Sequence, residues 1–267
     1  MDDAVWDPTV FSKNRDRLLS GEVAQRFLAE LLALPEVTRL LSSEHFSVDG
    51  TLLKAWASFK SFRRKDGGDQ PPDPGRNGER DFKGEKRSNE THASTSDPDA
   101  RLYRKGDGQP AELCFMGHAL MENRNGLIVG GMVTRATGDA EPITAVELLK
   151  AEAGGRRVTV GADKAYDTAN FVMECREESI TPHVTQNITT TRGGSRNDAR
   201  TTRHPGYAVS LRIRKRIEEC FGWVKEVAGL RQVKPRGLAK VDWQFQLGLA
   251  AYNLVQLPKL LAAAGSG

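Results

Sequence analysis

The chain has 267 residues, of which 38% are hydrophobic and 28% are charged. This composition is typical of a globular protein and excludes a chain disordered throughout, and the length allows one large domain or two small ones. No run approaches the ~18 consecutive apolar residues of a membrane span. The acidic start MDDAVWD also lacks the basic region of a signal peptide. We therefore predict a globular cytoplasmic protein with no membrane partner.

Positive charge is concentrated towards the C-terminus. Residues 192–240 contain thirteen Lys and Arg against four Asp and Glu, a net charge of +9, whereas the whole chain carries only +4. Such a segment favours a polyanionic partner, most simply nucleic acid, although a solvated helix face with a basic loop would give the same count. The three cysteines are widely spaced, which argues against a disulfide framework and against a structural zinc site.

The first part of the chain predicts two short helices, a strand and a long polar insertion. Apolar residues recur at helical spacing between residues 21 and 43, with Pro35 between the two helices, so residues 1–44 form a helical N-terminal segment. Residues 45–54, HFSVDGTLLK, follow as a strand. Residues 63–108 then have almost no apolar side chains and many Gly, Pro, Asn and Asp. Such a segment cannot bury enough surface to order itself, so we predict a flexible insertion there.

From residue 111 onward, strands and helices alternate. A hairpin is predicted at 111–121 and 127–134, because an Asn-Gly pair lies between two apolar runs. The remaining elements are a helix at 142–153, a strand at 157–163, a helix at 168–178, a strand at 180–185, a long amphipathic helix at 207–227 and a final helix at 245–261 stopped by Pro258. Strands that first pair antiparallel and are later joined by helices predict an α/β fold with a mixed sheet covered by helices.

Three carboxylates stand out from this pattern. Asp49 and Asp163 come at the ends of apolar strands, in FSVDGT and VTVGAD, where an unpaired acid is costly to bury. Glu218 lies on the predicted helix, four residues after Arg214 and seven before Lys225, so these three share one side of it. Each acid also has an ordinary explanation: an Asp can cap the following turn, and Glu218 can form exposed ion pairs.

Taken together, the three acids suit a metal site. Hard divalent cations such as Mg²⁺ prefer carboxylate oxygens, and two ions about 4 Å apart can activate a nucleophilic oxygen and stabilise the leaving oxygen of a phosphodiester. The surrounding Arg and Lys residues would then hold a DNA backbone rather than take part in the chemistry.

The blocks FSVDGT, ADKAYD and RIRKRIEECFGWVK together resemble the DDE transposases of bacterial insertion sequences, specifically the insertion-sequence-4/insertion-sequence-5 superfamily. Arg214, Glu218 and Lys225 match the R-x3-E-x6-K half of that superfamily's Y-x2-R-x3-E-x6-K signature. The stretch AYNLVQLPKLL near the C-terminus is also similar, so the resemblance extends over essentially the whole chain.

This resemblance implies a ribonuclease-H-like catalytic domain over residues 45–261, in which Asp49, Asp163 and Glu218 are catalytic and hold two Mg²⁺ or Mn²⁺ ions. It implies cleavage at element ends and then attack of the freed 3′-hydroxyl on target DNA, which is cut-and-paste transposition. The partners would be double-stranded DNA and a second copy of the chain, in the bacterial cytoplasm at the nucleoid. The residues then expected to contact DNA are Arg214, Lys215, Arg216 and Lys225.

The chain departs from the family pattern at two places. Leu211 stands where the signature has Tyr, and Tyr207 lies one helical turn earlier. Relatives also carry an additional N-terminal region before the block VWDPTVFSKNRDRLL, so we expect a truncated form in which residues 1–44 are a helical remnant. Two other functions therefore stay open. One is a catalytically silent DNA-binding remnant, and the other is a ribonuclease-H-like nuclease that cleaves DNA without joining it.

Overall fold

The computed structural model of the protein describes residues 22–67, 87–106, 108–188 and 194–265, together with a few positions before residue 20. Within these residues the strands are β1 (His45–Ala55), β2 (Phe62–Arg64), β3 (His92–Ser94), β4 (Arg101–Tyr103), β5 (Glu112–Glu122), β6 (Ile128–Arg135), β7 (Val158–Ala162), β8 (Ile180–Val184) and β9 (Gln232–Val233). The helices are α1 (Val23–Ala33), α2 (Pro35–Thr38), α3 (Ala140–Ala153), α4 (Ala169–Glu177), α5 (Ala199–Thr202), α6 (Pro205–Ile213), α7 (Arg216–Glu226) and α8 (Leu238–Ala264).

Seven strands form one mixed sheet, while β2 and β3 form a separate pair. β5 lies between β1 and β6 and pairs antiparallel with both, whereas β7 pairs parallel with β1 and β8 pairs parallel with β7. The central order is therefore β6–β5–β1–β7–β8. The connections to β7 and β8 run through α3 and α4, because a parallel neighbour requires a crossover connection. The mixed α/β fold predicted from the sequence is confirmed.

Helices cover both faces of the sheet, and strand alternation decides which residues each layer receives. Phe46 and Val48 of β1 pack in a cluster with residues of α3 and α4. Leu53 and Ala55 lie an odd number of residues from Phe46 and Val48, so their side chains point to the other face. They pack in the cluster formed with α7 and α8. Asp49 therefore belongs to the α7 face of β1, and Gly50 belongs to the α3 face.

The long helix predicted at 207–227 is two helices. α6 packs over β7 and β8, whereas α7 packs against β1 and α8, so one straight helix cannot serve both surfaces. The α-helical pattern is interrupted at Arg214 and Lys215, whose carbonyls accept hydrogen bonds from N–H groups only three residues later. Arg214 thus follows the last residue of α6 and Glu218 lies in α7, so the single helix predicted at 207–227 is wrong, while the shared side of Arg214 and Glu218 stays a prediction.

The C-terminal helix α8 continues past Pro258 to Ala264, so the predicted stop is wrong. A proline inside a helix costs about 3 kcal/mol, but Leu257 and Leu260 on either side of it pack in one cluster with Leu31 of α1. On length and composition alone, α8 could cross a membrane. It packs here against β6, α1 and α7, with Phe245 and Leu249 fully buried, as the core helix of a globular fold does.

The described part of region 63–108 is folded. β2 pairs with β3, and β4 pairs with β5. Asn89 binds both backbone groups of Leu102, donating to its carbonyl and accepting from its N–H, each at 2.9 Å. Because polar side chains satisfy the backbone here, little apolar surface is needed. The predicted flexible insertion is therefore not confirmed for these residues, and residues 68–86 and 107 lie outside those described.

Candidate active site

Along one edge of β1, the central residues have no neighbour among the strands that the structure describes. β1 pairs with β7 only from His45 to Ser47, and with β9 only at Lys54 and Ala55. Among the described strands, none pairs with this edge between those two contacts, since β7 ends at Ala162. We call this gap between the end of β7 and the start of β9 the notch. Because it interrupts the sheet, side chains from either face can enter it.

Asp49 and Asp163 meet at the notch. In the parallel register Ser47 is level with Gly161, so two residues further on Asp49 comes level with Asp163. Asp163 also accepts a hydrogen bond of 2.7 Å from the N–H of Ala165 and caps the 3₁₀ turn Lys164–Tyr166. The capping role that the sequence left open for Asp163 is therefore present, and the pairing with Asp49 exists beside it.

The Asp49 carboxylate lies in surroundings that disfavour its charge. Burial raises its pKa to about 6, and the nearby negative charge of Asp163 acts in the same direction. A hydrogen bond of 2.8 Å from the Gly50 N–H and the positive charges of Lys105 and Arg214 oppose this rise without cancelling it. A carboxylate held in this way is a favourable ligand for a cation.

Glu218 lies on α7, beside the notch but outside the acid pair. Its side chain is exposed, and the acid whose charge acts on Asp49 is Asp163. Lys225 lies seven residues later on the same helix, and the negative charge of Asp49 acts to raise its pKa. This side of α7 is therefore directed towards the notch. The neighbouring Glu219 acts instead on Tyr252 of α8. The choice of Glu218 over Glu219 as the third acid stays a prediction.

The four basic residues expected to contact DNA fall into two pairs. Arg214 packs over β7, with its Cβ 3.2 Å from where a Cβ on Gly161 would lie, and its charge lowers the pKa of Asp49. Lys225 is half-buried beside the notch. Lys215 and Arg216 are exposed, where the structure leaves them accessible to a partner. Tyr207, considered as a substitute for the signature tyrosine, donates a hydrogen bond of 2.8 Å to the Val184 carbonyl.

Sequence reasoning missed a further acid, Glu141, in the first turn of α3. Its pKa is raised to about 7 by burial and by the charges of Asp49 and Asp163, and Lys105 opposes the rise. In the sequence, Glu141 looks like an ordinary acid near the start of an amphipathic helix. Its approach to the strand acids depends on how the α3 crossover lies on the sheet.

Sequence reasoning also missed a basic cleft of about 640 Å³, which opens beside the notch. Lys105 and Lys225 line it; the charge of Lys105 acts on Asp49, and the charge of Asp49 acts on Lys225, so the cleft and the acids adjoin. Lys54 in this lining is paired with Glu112 at 2.5 Å. Within the described part of the chain, Lys105 and Lys225 form no ion pair. The cleft therefore has positive charge available for an anionic partner.

A family model described as a transposase DDE domain matches residues 42–254. That span is well over half of the chain, and it contains the sheet, the notch and α7. The chain belongs to this family. The transposase resemblance drawn from the three sequence blocks is confirmed at this level, while the narrower insertion-sequence-4/insertion-sequence-5 assignment and the missing N-terminal region stay predictions.

Three solved transposase structures show a weak likeness to this chain. A piggyBac transposase synaptic complex with hairpin DNA has a TM-score of 0.43 and 10% identity, covering 83% of this chain and 48% of that one. A pre-cleavage Mos1 transpososome has a TM-score of 0.26 and 10% identity, covering 91% and 61% respectively. The Mos1 mariner paired-end complex with Mn has a TM-score of 0.25 and 12% identity, covering 91% and 61%. The chain thus spans about half to three fifths of these proteins. Among curated proteins, no sequence matches it significantly.

A transposase DDE domain implies a divalent metal ion, and the donor chemistry at the notch fits one. Asp49 and Asp163 present carboxylate oxygens, the ligands that Mg²⁺ and Mn²⁺ prefer. The raised pKa of Asp49 shows that nearby Lys and Arg do not fully compensate its charge. In the described conformation, no three His, Cys, Asp or Glu side chains are close enough to hold one ion together. Any third carboxylate, including the exposed Glu218, therefore has to turn towards Asp49 and Asp163 to join them at one ion.

Proposed function

We propose that this DDE domain catalyses metal-dependent DNA cleavage at the ends of a mobile element and transfer of the cleaved strand to target DNA. The observation that carries the proposal is the pair formed by Asp49 and Asp163, level with each other where β7 ends beside β1. These two acids at neighbouring parallel strands, joined by the α7 acid once its side chain turns inwards, would provide the donor set that phosphodiester chemistry with Mg²⁺ or Mn²⁺ requires.

Each acid has a separate part in this proposal. Asp49 and Asp163 are fixed by the register of β1 and β7, so they form the rigid half of the site. Glu218, on the surface of α7, is the movable ligand that joins them when DNA and metal bind. Two divalent ions are expected, and when bound they supply activation of the attacking oxygen and stabilisation of the leaving oxygen.

The basic residues beside the acids are proposed to hold the DNA. Lys105 and Lys225, free of ion pairs among the described residues, would contact phosphates of the strand that enters the notch through the cleft. Arg214 serves first as a counter-charge to Asp49, whereas Lys215 and Arg216 are placed for outer phosphates. The expected partners are double-stranded DNA and a second copy of the chain, acting in the cytoplasm at the bacterial nucleoid.

The test is cleavage and joining by the full chain. Purified protein is mixed with supercoiled plasmid and a labelled oligonucleotide with a free 3′-hydroxyl, in Mg²⁺ or Mn²⁺. We expect nicked plasmid and oligonucleotide joined to plasmid from the wild type. Asp163→Asn and Glu218→Gln should lose both products, whereas Glu219→Gln, the adjacent and chemically matched control, should keep them.

Each alternative function gives a different result in this assay. Nicking without joining indicates a ribonuclease-H-like nuclease. Salt-sensitive DNA binding without any metal-dependent product indicates a silent remnant. Full activity in Asp163→Asn would show that the acids at the notch are not the catalytic site.

A further inference from the structure

Glu141 reaches the notch because residue 50 of β1 is glycine. A Cβ atom built on Gly50 would lie 2.5 Å from Oε1 of Glu141 and 2.7 Å from its Cγ. Real Cβ atoms do not approach so closely, so any larger residue at position 50 would displace the Glu141 side chain. Gly50 belongs to the α3 face of β1, next to Asp49 on the opposite face. The glutamate therefore lies against the strand at the level of the notch.

The charges around Glu141 are those of the acid site. The acids that act on it are Asp49 and Asp163, and the compensating cation is Lys105. A half-buried carboxylate beside two others is costly unless a cation neutralises it. Lys105 also acts on Asp49 and on Lys225, so one ammonium group is shared within this cluster. The three acids at the notch thus lie near Lys105, Arg214 and Lys225, and burial keeps the pKa values of Asp49 and Glu141 raised despite these cations.

The charges of the same three acids act on a buried hydroxyl group, that of Tyr166. Tyr166 ends the turn capped by Asp163 and is fully buried. Its hydroxyl has no hydrogen-bond partner among the described residues. Its pKa is raised by burial and then by the charges of Glu141, Asp49 and Asp163. A buried hydroxyl normally has a partner, so this group points to a polar occupant of the notch.

Resting on the proposed function, we propose that Glu141 is a fourth carboxylate ligand for the divalent cations at the notch, reaching them from the α3 face past Gly50. Because no three acids of the described residues are close enough to hold one ion together, its side chain turns towards Asp49 and Asp163 when the ion binds. Asp49 and Glu218 approach from the α7 face, and Asp163 lies at the end of β7. Tyr166 is then a positioning residue, whose hydroxyl donates to a carboxylate or to a water molecule held by the ion. A cation at the gap in the sheet can be reached from both faces, which explains why a helix on each face presents a glutamate to it.

The proposal is tested by Mn²⁺ binding to the full chain without DNA, followed by electron paramagnetic resonance. Glu141→Gln keeps the shape of the side chain and removes its charge. Its matched control is Glu147→Gln, on the same helix and exposed. We expect Glu141→Gln to weaken Mn²⁺ binding by roughly tenfold or more, the scale seen when groups that support a metal site are lost, and Glu147→Gln to leave it unchanged. Wild-type affinity in Glu141→Gln would overturn the proposal.

Asp163→Asn separates this proposal from the function on which it rests. If Asp163→Asn loses Mn²⁺ but Glu141→Gln keeps it, the site stands without Glu141. If the wild type binds no Mn²⁺, or Asp163→Asn binds it normally, the metal site itself is misassigned and both proposals fail. Weakening in both variants supports both.

A second measurement locates the ion in the chain. Fe²⁺ in place of Mn²⁺, with ascorbate and peroxide, produces hydroxyl radicals that cut the backbone near the bound ion. We expect cuts near residues 49, 141 and 163 in the wild type, and loss of the cut near 141 in Gly50→Ala, in which the new methyl group displaces Glu141. Circular dichroism checks that Gly50→Ala is folded. An unchanged cutting pattern in folded Gly50→Ala would contradict the role assigned to Glu141.

Discussion

Replacing Asp49 by Asn should stabilise the protein at neutral and alkaline pH in the absence of metal. Asn keeps the shape of the side chain and its acceptor for the Gly50 N–H, but it has no charge to bury. Burial and Asp163 raise the Asp49 pKa from 3.8 to about 6, which corresponds to a folding penalty of about 3 kcal/mol once the group is ionised in both states. Because neighbouring acids titrate together with Asp49, about 2 kcal/mol is a reasonable expectation.

The pH dependence of this effect has a definite sign. The pKa is higher in the folded state, so the protonated group favours folding below the unfolded pKa of 3.8, and this advantage is lost as the pH rises through about 6. The variant and the wild type should therefore have nearly equal stability at pH 3.5. Above pH 7 the variant should be more stable by a constant amount.

Urea unfolding at pH 3.5 and pH 8, without divalent cations, measures this difference. A gain of about 2 kcal/mol corresponds to roughly 4–8 °C in Tm for a domain of this size. Glu177→Gln, an exposed acid on α4, is the control and should change stability little at either pH. Adding Mg²⁺ at pH 8 should stabilise the wild type and narrow the gap. A less stable variant at pH 8, or an equal gain at both pH values, would refute the argument.

Three other substitutions test the fold and the cleft. The fully buried Glu122 accepts hydrogen bonds of 2.8–3.0 Å from the N–H groups of Ser42, Arg124, Asn125 and Leu127. Glu122→Gln replaces an acceptor oxygen with a donor and should cost about 2–4 kcal/mol in urea unfolding; a cost below 1 kcal/mol would contradict this. Gly131→Ala places a Cβ 2.9 Å from the His118 carbonyl oxygen and against Leu249. Thermal unfolding should therefore show a loss of about 1–3 kcal/mol in the free energy of unfolding. An unchanged Tm would refute this prediction. Lys105→Ala should weaken binding to DNA of any sequence and lower the slope of affinity against salt concentration by about one phosphate contact. The control Lys259→Ala, at an exposed lysine, should change neither quantity. Equal effects of the two substitutions would exclude the cleft as the path of the DNA.

Local sequence patterns were sufficient for most of the secondary structure. The hairpin of β5 and β6 and the alternation from α3 to β8 lie within a few residues of their predicted positions. These elements have strong apolar periodicity and clear turn residues, which act over a few neighbours. The same patterns placed Asp49 on β1 and Asp163 just after β7, because an acid that interrupts an apolar strand is conspicuous in sequence.

Sequence patterns failed where distant packing outweighed a local preference. The break between α6 and α7 follows from two helices covering different parts of the sheet. The continuation of α8 through Pro258 follows from leucines that pack against α1. Around Asn89, side-chain hydrogen bonds order a segment whose composition predicts none. Propensity and composition describe neighbours along the chain, so they cannot predict contacts between residues that are far apart in sequence.

The sequence by itself determined the family, the mixed sheet and the two strand acids, because these depend on short motifs and on periodicity. Only the tertiary structure decided what surrounds those acids. The early end of β7 creates the notch, and the α3 crossover brings Glu141 over Gly50. The sheet topology also places Lys105 beside Asp49, although the two residues are far apart in sequence. The electrostatics of the site depend on distances across the sheet, and those distances exist only once strands from separate parts of the chain have paired.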